Sequence, residues 1–239
     1  MFSPGVRISH ALTGVNEGPI VEIRVALHAV KLGVVEATGV HVTLVEESLA
    51  KEMDAVCERL RRIHIVESLP DFEPVGRVRA MFRAWGMDPS KYRPSSEALL
   101  RRVAQGKGLY RISNRVDAAN LGSIETGWPF GCYDLARISG PITLRLGTAG
   151  EKYEGIGKKT WHLEGRPVLA DDPGPFGSPI SDSTRTMVTE QAQDLLAIIY
   201  APEQTSAAAL DEAMSRLAER FTRSAGAKKI STQVIPGAE

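Results

Sequence analysis

Helix and strand signals occupy different parts of this sequence, and their order limits the fold. Apolar residues at helical spacing dominate residues 48–127, whereas alternating or continuous apolar runs dominate residues 141–200. Strands that alternate regularly with helices are typical of a doubly wound sheet, and segregated runs are typical of an α+β fold. The sequence therefore predicts one α+β domain, in which helices flank a mixed β-sheet.

Four helices are predicted in the first half of the chain, each from an apolar stripe with a start or stop signal. Their boundaries are Ser48 to Ile63, Pro74 to Gly86, Ser95 or Ser96 to Gly106, and Asp117 to Gly127. Proline suits the first turn of a helix, and a serine or aspartate at a helix start can cap free amide groups. We therefore expect Asp117 and one of the two serines to be caps.

Strands are predicted on both sides of these helices. They cover residues 20–25, 40–45, 142–146, 168–169 and 195–200. Near the end of the chain, an amphipathic helix is expected from Ser206 to Phe221. It would pack on the body of the protein or on a second copy, which would give a homodimer. Residues 230–235 could then add an edge strand or stay mobile.

These elements divide the chain into three segments. Strands and a helix occupy residues 1–73, a central unit occupies residues 74–202, and a helix with a tail occupies residues 203–239. Residues 1–70 hold too little apolar surface for a core of their own. We therefore expect the first segment to pack against the central unit and not to fold separately.

Composition and charge narrow the class of protein. No apolar run approaches the ~18–20 residues of a membrane span, and the first ten residues lack the pattern of a secretory signal, so a cytoplasmic protein is expected. Lysine plus arginine and aspartate plus glutamate number 29 each. Because proteins that hold long stretches of RNA carry a basic excess, any RNA contact should be local or assisted by a partner. The histidines and cysteines show no metal-binding spacing, and no metal or cofactor is expected.

Four motifs follow one another over the middle of the chain. They are RPSSEALLRR (93–102), NRVDAANLGS (114–123), YDL (133–135) and ADDPGPFGSPISDSTRT (170–186). In this order and spacing they resemble the tRNA-binding and editing module of the phenylalanyl-tRNA synthetase beta chain, over residues 74–202. That module removes wrongly attached amino acids from tRNA. The resemblance implies a free-standing relative of the editing domain, which acts on the tRNA acceptor end or on aminoacyl-tRNA.

The most reactive-looking stretch is residues 171–186 (the 171–186 segment). Its hydroxyls, carboxylates and guanidinium could converge on one point, although such residues also make up solvated loops. The resemblance favours a site, because FGSPISDSTRT lies where the synthetase module has its pocket-lining glycine-rich loop. Asp182 would orient water or the substrate's amino group, and Arg185 would hold a phosphate or carbonyl oxygen. The candidate catalytic residues are Asp182, Ser181 and Arg185, and the candidate substrate-binding residues here are Ser178, Ser183 and Thr186.

Further candidates for substrate binding precede this segment. Arg93, Ser95 and Ser96 lie at a predicted helix start, where free amides and positive charge attract an anion. The alternative is structural: Arg93 would pair with Asp117 or Asp134, and Ser95 would only cap. The other candidates from the motifs are Asn114, Asn120 and Asp134. The two asparagines could bond to backbone across a pocket or touch substrate.

Hydrolysis of an aminoacyl ester needs less than peptide cleavage, because the ester is activated and the neighbouring ribose hydroxyl can assist. The sequence has no GxSxG nucleophile elbow, so we expect a positioned water and not a covalent serine. Gly131 stands where the synthetase module has a histidine, and Leu196–Ile199 stand where it has a glutamate implicated in recognising a tyrosine hydroxyl. Both differences argue against tyrosine as the amino acid removed. The alternative function is a non-catalytic module that binds a tRNA end, an amino acid or a protein.

Overall fold

A computed structural model describes residues 21–44, 46–63, 66–157 and 159–238. Its α-helices are Glu47–Ile63 (α1), Glu73–Ala84 (α2), Ser95–Ala104 (α3), Asn114–Thr126 (α4) and Ala207–Ala225 (α5). Its strands are Ile23–Val25 (β1), Val30–Thr38 (β2), Phe130–Asp134 (β3), Ile142–Leu146 (β4), Lys152–Glu154 (β5), Thr160–His162 (β6), Pro167–Asp171 (β7), Gly174–Gly177 (β8), Leu195–Pro202 (β9) and Lys229–Ile235 (β10). The interpretation of the first ten residues, and the predicted strand ends at Ile20 and Val45, lie outside the described residues.

The strands form two four-stranded sheets and a hairpin. The first sheet has the order β10-β2-β9-β3 and is antiparallel throughout. The second has the order β1-β4-β7-β8, in which β1 is parallel to β4 and the other pairs are antiparallel. The hairpin is made by β5 and β6. This mixed pairing, together with the flanking helices, confirms the predicted α+β class.

Strand β9 shows how the layers come together. All eight of its residues are buried, and they alternate between two apolar clusters. Leu195, Ala197 and Ile199 belong to the cluster that includes α1, α3, α4 and α5. Leu196 and Ile198 belong to the cluster that includes α2 and the second sheet. A central strand that is covered on both faces reads as a continuous apolar run, which is why the sequence predicted it.

The apolar stripes predicted the helices well. α1 and α2 begin one residue before their predicted starts, and Gly86, Gly106 and Gly127 follow helix ends with positive φ. α5 begins after Ser206, whose hydroxyl accepts a hydrogen bond from Ala209 N–H. α5 packs on β2 and α4, and a homodimer through it stays a prediction. Among the helices that the structure describes, none is long and apolar enough to cross a membrane.

The predicted strand at residues 40–45 is wrong over residues 40–44, where the structure shows no strand. The backbone there is satisfied by a helix end and a side chain: His41 N–H donates to Ala225 O, and Thr43 N–H donates to the Asn114 side chain. The strand lies earlier, at β2, where Gly33 interrupts the apolar pattern. A Cβ at Gly33 would lie 2.8 Å from a Leu210 methyl carbon, so the glycine lets α5 approach the sheet closely.

The predicted caps at two helix starts are also wrong. α4 begins at Asn114, and Asp117 lies in its first turn, where its carboxylate accepts a hydrogen bond from Ile112 N–H at 2.9 Å. α3 begins after Pro94 with no side-chain cap. The Ser95 N–H is instead satisfied by a backbone carbonyl of the 171–186 segment, and this contact removes the need for a cap.

Candidate functional site

The 171–186 segment runs from the end of β7 through β8 to the edge of the first sheet. Its last part lies between β3 and the β5–β6 hairpin. On one side, Asp134 N–H donates to Thr186 O at 2.9 Å, and on the other, Ile156 N–H donates to Asp182 O at 2.9 Å. These backbone bonds hold Asp182 beside Tyr133 of β3.

The side chain of Asp182 is half-buried and uses one of its oxygens for two hydrogen bonds. Oδ1 accepts from the Tyr133 hydroxyl at 2.7 Å and from Ser178 N–H at 3.3 Å. The Tyr133 and Tyr200 hydroxyls are 3.4 Å apart. No residue in the described ranges donates to Oδ2 of Asp182. That second oxygen therefore keeps an acceptor position that the described residues do not fill.

Two glycines make room for the phenol that holds Asp182. Tyr133 is fully buried, and its ring packs edge-on against Phe176 with centroids 5.0 Å apart. A Cβ at Gly131 would lie 2.1 Å from the Tyr133 hydroxyl oxygen, and a Cβ at Gly177 would lie 2.3 Å from it. Neither position can carry a side chain while the tyrosine keeps this place.

The surroundings of Asp182 favour its neutral form. Burial raises its pKa to about 7, although the hydrogen bonds from Tyr133 and Ser178 oppose that rise. Burial also raises the pKa of Cys132 to about 12, and it raises the pKa of the Tyr133 and Tyr200 hydroxyls above their ordinary values. A carboxyl group that titrates near neutral pH, among groups that do not, can take up or release a proton in a reaction.

Ser178 and Ser181 shape the turn that carries Asp182. The Ser178 hydroxyl donates to Ser181 O at 2.8 Å and accepts from Ser181 N–H at 3.1 Å. The Tyr153 hydroxyl donates to Ser181 O at 2.5 Å and ties the turn to β5. These bonds occupy the Ser178 side chain, whereas they use only backbone atoms of Ser181. The predicted substrate and catalytic roles of the two serines stay predictions.

Arg185 is held by partners other than Asp182. Its guanidinium forms two hydrogen bonds with Asp171, at 2.6 and 3.1 Å, and a third with Gly174 O at 3.1 Å. The Asp171 side chain is fully buried, and one third of the Arg185 side chain is exposed. Arg185 therefore fastens the 171–186 segment to β7 and β8, and its predicted catalytic role stays a prediction.

The other candidates in and beside the segment are buried to different degrees. Ser183 and Thr186 are fully buried; the Ser183 hydroxyl has no partner among the described residues, and Thr186 donates weakly to Phe176 O at 3.5 Å. Ser95 N–H donates to Pro179 O at 3.0 Å, so the start of α3 touches the segment. The hydroxyl of Ser96 is buried, and no residue in the described part of the chain bonds to it.

Arg93 does not pair with Asp117 or Asp134. Its nearest carboxylate is that of Glu97, at 3.7 Å. Glu97 is completely buried and also accepts from Arg79 and Arg101. A buried carboxylate needs such partners, which explains why arginines gather around the start of α3.

The motif residues in α4 and β3 separate into different environments. Asn114 bonds to backbone at His41, Thr43 and Ser224, none of which lies in the 171–186 segment. Asn120 is half-buried within α4, and its side chain forms no hydrogen bond with the described residues. Asp134 accepts from Ala136 N–H and bonds through its backbone to Thr186. The segment is thus joined to Ser95 and Asp134, and Asn114 faces elsewhere.

Sequence reasoning missed the phenols around Asp182. Tyr133 entered only as the aromatic of the YDL motif, and Tyr153 and Tyr200 were not singled out. Nothing local marks them, since each lies in an ordinary strand pattern. The glycines at positions 131 and 177 are a usable signal, but their role is clear only in the structure, where both lie against the Tyr133 ring.

Two concavities lie away from Asp182. One, of about 80 Å³, is lined by residues of α1 and the start of α4. The other, of about 240 Å³, lies between α4 and α5 and includes Glu125, Trp128 and Arg220. Arg220 is buried and paired with Glu52 and Glu125 at 2.7 Å each. Neither concavity borders Asp182.

The sequence of this chain matches the model of a known protein family. The model of the B3/4 domain matches residues 77–235, which is well over half of the chain. The chain belongs to the B3/4 domain family.

Phenylalanine–tRNA ligase beta subunits are similar to part of the chain, which confirms the resemblance seen in the motifs. That of Chromobacterium violaceum is 36% identical over 110 residues, which cover 44% of this chain and 14% of the relative. That of Streptomyces avermitilis is 36% identical over 107 residues, which cover 44% of this chain and 12% of the relative. The chain thus spans a small part of these relatives. An N-terminal fragment of the phenylalanyl-tRNA synthetase beta subunit from Pyrococcus horikoshii superimposes on 93% of this chain, with a TM-score of 0.43, 14% identity and 57% of that chain covered.

Proposed function

We propose that this protein hydrolyses mischarged aminoacyl-tRNA as a free-standing relative of the synthetase editing module. The observation that carries the proposal is Asp182, a half-buried carboxyl group with a pKa of about 7 and one oxygen to which no described residue donates. Membership of the B3/4 domain family and similarity to tRNA ligase beta subunits support the substrate class. The tRNA acceptor end is the partner, in the cytoplasm, and no cofactor takes part.

The proposed chemistry uses a bound water. Oδ2 of Asp182 accepts a proton from the water as its oxygen attacks the ester carbonyl carbon. The bond between that carbon and the ribose oxygen then breaks, and the proton passes to the ribose oxygen. Tyr133 and Ser178 hold Oδ1, so that the other oxygen keeps a fixed direction. The amino acid and the free tRNA end are the products.

A deacylation assay tests this function. Purified protein is mixed with a panel of correctly and incorrectly charged tRNAs, and release of each amino acid is compared with release in buffer. We expect one or a few esters to be hydrolysed, with a rate that increases as pH rises through about 7, after the spontaneous rate is subtracted.

A matched pair of variants locates the activity. Asp182→Asn keeps the shape of the side chain and removes the base, so we expect at least ~10-fold slower deacylation, about 1.4 kcal/mol. Asp172→Asn is the control, because Asp172 is exposed in the same segment. Full activity in Asp182→Asn would move the site elsewhere in the molecule.

The second candidate function is binding without hydrolysis. Two observations favour this function. The Arg185 guanidinium is already hydrogen-bonded to Asp171, and Gly131 has no side chain at the position where the synthetase module has a histidine. A protein of this kind would bind a tRNA end, an amino acid or a protein. Retention of charged tRNA on the protein, with no release of any amino acid above buffer across the panel, would establish this alternative.

A further inference from the structure

We propose that the concavity of about 240 Å³ between α4 and α5 binds a single unpaired nucleobase. The residues that line it fit such a ring in shape, in charge balance and in the hydrogen-bond positions that they leave open. Asp182 does not line this concavity, so binding here is independent of the proposed hydrolysis.

One face of each helix forms a wall of the concavity. On α5, Ala209 and Ala213 lie one turn apart, and their small side chains leave room beside α4. Trp128, which follows the end of α4, is half-buried and lines the same space. Pockets for drug-sized ligands measure about 300–1,000 Å³, so this smaller volume suits one ring system. Small side chains beside an aromatic one favour a flat ligand that can stack.

The charged residues that line the concavity balance one another. Arg216 and Arg220 of α5 carry two positive charges, and Glu125 of α4 and Glu212 of α5 carry two negative charges. Arg220 is buried, and it is paired with Glu125 at 2.7 Å. A ligand with a net charge would leave one charge uncompensated between the two helices, and this is costly away from bulk water. A neutral ligand avoids that cost.

A donor on α5 and an acceptor on α4 stay open beside each other. Nη1 of Arg216 lies 3.9 Å from Oε1 of Glu125, which is too far for a hydrogen bond. Glu212 holds the Nε and Nη2 atoms of Arg216, and Arg220 holds Oε2 of Glu125. Because the Glu125 side chain is only 11% exposed, an acceptor left unfilled there is unfavourable.

A nucleobase meets these requirements together. An aliphatic or phenyl group would leave both open positions unfilled, a charged side chain would upset the balance of charge, and an amide side chain has no ring to stack. The edge of a nucleobase carries an N–H donor beside a carbonyl oxygen or a ring nitrogen. Unpaired bases also stack on aromatic side chains while their edges form hydrogen bonds. A free nucleoside and an unpaired position of an RNA both supply such a base.

Titration of the whole chain with nucleosides tests the site. The probes are adenosine, guanosine, cytidine and uridine, each beside a neutral derivative in which methyl groups replace the hydrogens of the edge donor. NMR shifts of the Trp128 indole N–H report binding. We expect at least one nucleoside to bind saturably, and its methylated derivative to bind at least ~10-fold more weakly. A phosphate on the ribose should not increase the affinity, because the lining charges are already balanced.

A matched pair of variants locates the binding. Ala209 and Ala208 are both exposed on α5, and only Ala209 lines the concavity. Ala209→Phe places a ring in the space that the base would occupy, so we expect it to lose binding. Ala208→Phe should bind like the parent, and circular dichroism checks that α5 is intact in both. Unchanged binding in Ala209→Phe would overturn the inference, and so would equal binding of a nucleoside and its methylated derivative.

A second pair tests the open donor. Arg216 and Arg223 have similar exposure, 55% and 57%, and only Arg216 lines the concavity. Arg216→Met should weaken binding of the preferred nucleoside at least ~5-fold, whereas Arg223→Met should not. Equal affinities of these two variants would show that the guanidinium does not contact the base.

Single-stranded oligoribonucleotides distinguish the two sources of the base. If an oligonucleotide binds at least ~10-fold more tightly than its nucleoside, and Ala209→Phe removes that binding, the natural ligand is an RNA. If the two bind equally, it is a free nucleoside. Absence of saturable binding by every nucleoside and oligonucleotide would overturn the base site even if the protein hydrolyses aminoacyl-tRNA. Base binding without any deacylation would leave this site in place and contradict the proposed function.

Discussion

A carboxyl group that holds its proton more tightly in the folded state makes stability depend on pH, and Asp182 is such a group. Its pKa is raised to about 7 by burial, above the value of about 4 that an aspartate has in an unfolded chain. The stabilising contribution is fully present below pH 4 and is lost as pH rises to about 7. We therefore expect the free energy of unfolding of Asp182→Asn to increase relative to that of the parent as pH is raised from 5 to 8.

Urea unfolding of both proteins at several pH values measures this effect. Glu36 and Asp117 also have a raised pKa because of burial, but both proteins share them. The difference between the two unfolding free energies thus isolates Asp182. A difference that is constant from pH 5 to pH 8 would show that the carboxyl group titrates at its ordinary value.

The glycine beside Tyr133 gives a second prediction at the scale of single residues. Gly131→Ala places a methyl group against the phenol, whose ring carbons would lie 2.6 and 2.8 Å from it. We expect a loss of about 1–3 kcal/mol in the free energy of unfolding, as for other overpacked cores. Gly76→Ala in α2 is the control, since its nearest contact would be 3.5 Å, and it should be neutral or stabilising. Thermal and urea unfolding report both changes, and equal stability of the two variants would contradict this account of Gly131.

At the scale of elements, the sequence predicted the helices and strands that have a regular apolar pattern, and it missed the features that depend on contacts between distant segments. The stripes of α1, α2 and α5 and the apolar run of β9 were sufficient to predict those elements. The start of α4 and the absence of a strand at residues 40–44 depend on bonds between distant segments, such as that from Thr43 to Asn114. The site divides in the same way: the motifs identified the 171–186 segment, and the phenols around Asp182 appear only in three dimensions.

Arg185 gives a prediction at the scale of elements, because it joins the segment to two strands. Arg185→Met leaves the fully buried Asp171 carboxylate without its cation. We expect a loss of roughly 3 kcal/mol, at the low end for one partner of a buried pair, because the arginine is partly exposed. Arg185→Lys should recover part of it. The unfolding free energies decide the matter: an unchanged stability in Arg185→Met, together with slower deacylation, would favour the catalytic role instead.

At the scale of the whole molecule, the described strand β2 and helix α1 contact elements in the last third of the chain. β2 pairs with β9 on one side and β10 on the other, and α1 packs on the cluster that includes α5. We therefore expect a fragment of residues 1–70 to be unfolded, as judged by circular dichroism and amide proton dispersion, whereas the whole chain is folded under the same conditions. A stable, folded fragment released by limited proteolysis would contradict the division into three interdependent segments.

The pairing of β2 with β9 also sets the timing of folding during synthesis. β2 ends at Thr38, and β9 begins only at Leu195. At about 5–20 residues per second, a ribosome needs roughly 10–30 s to make the intervening chain. During that interval neither edge of β2 has its native neighbour, and unpaired strand edges associate readily with other chains. The central sheet therefore closes late, and the yield of folded protein should depend on chaperones that shield β2 until the end of translation.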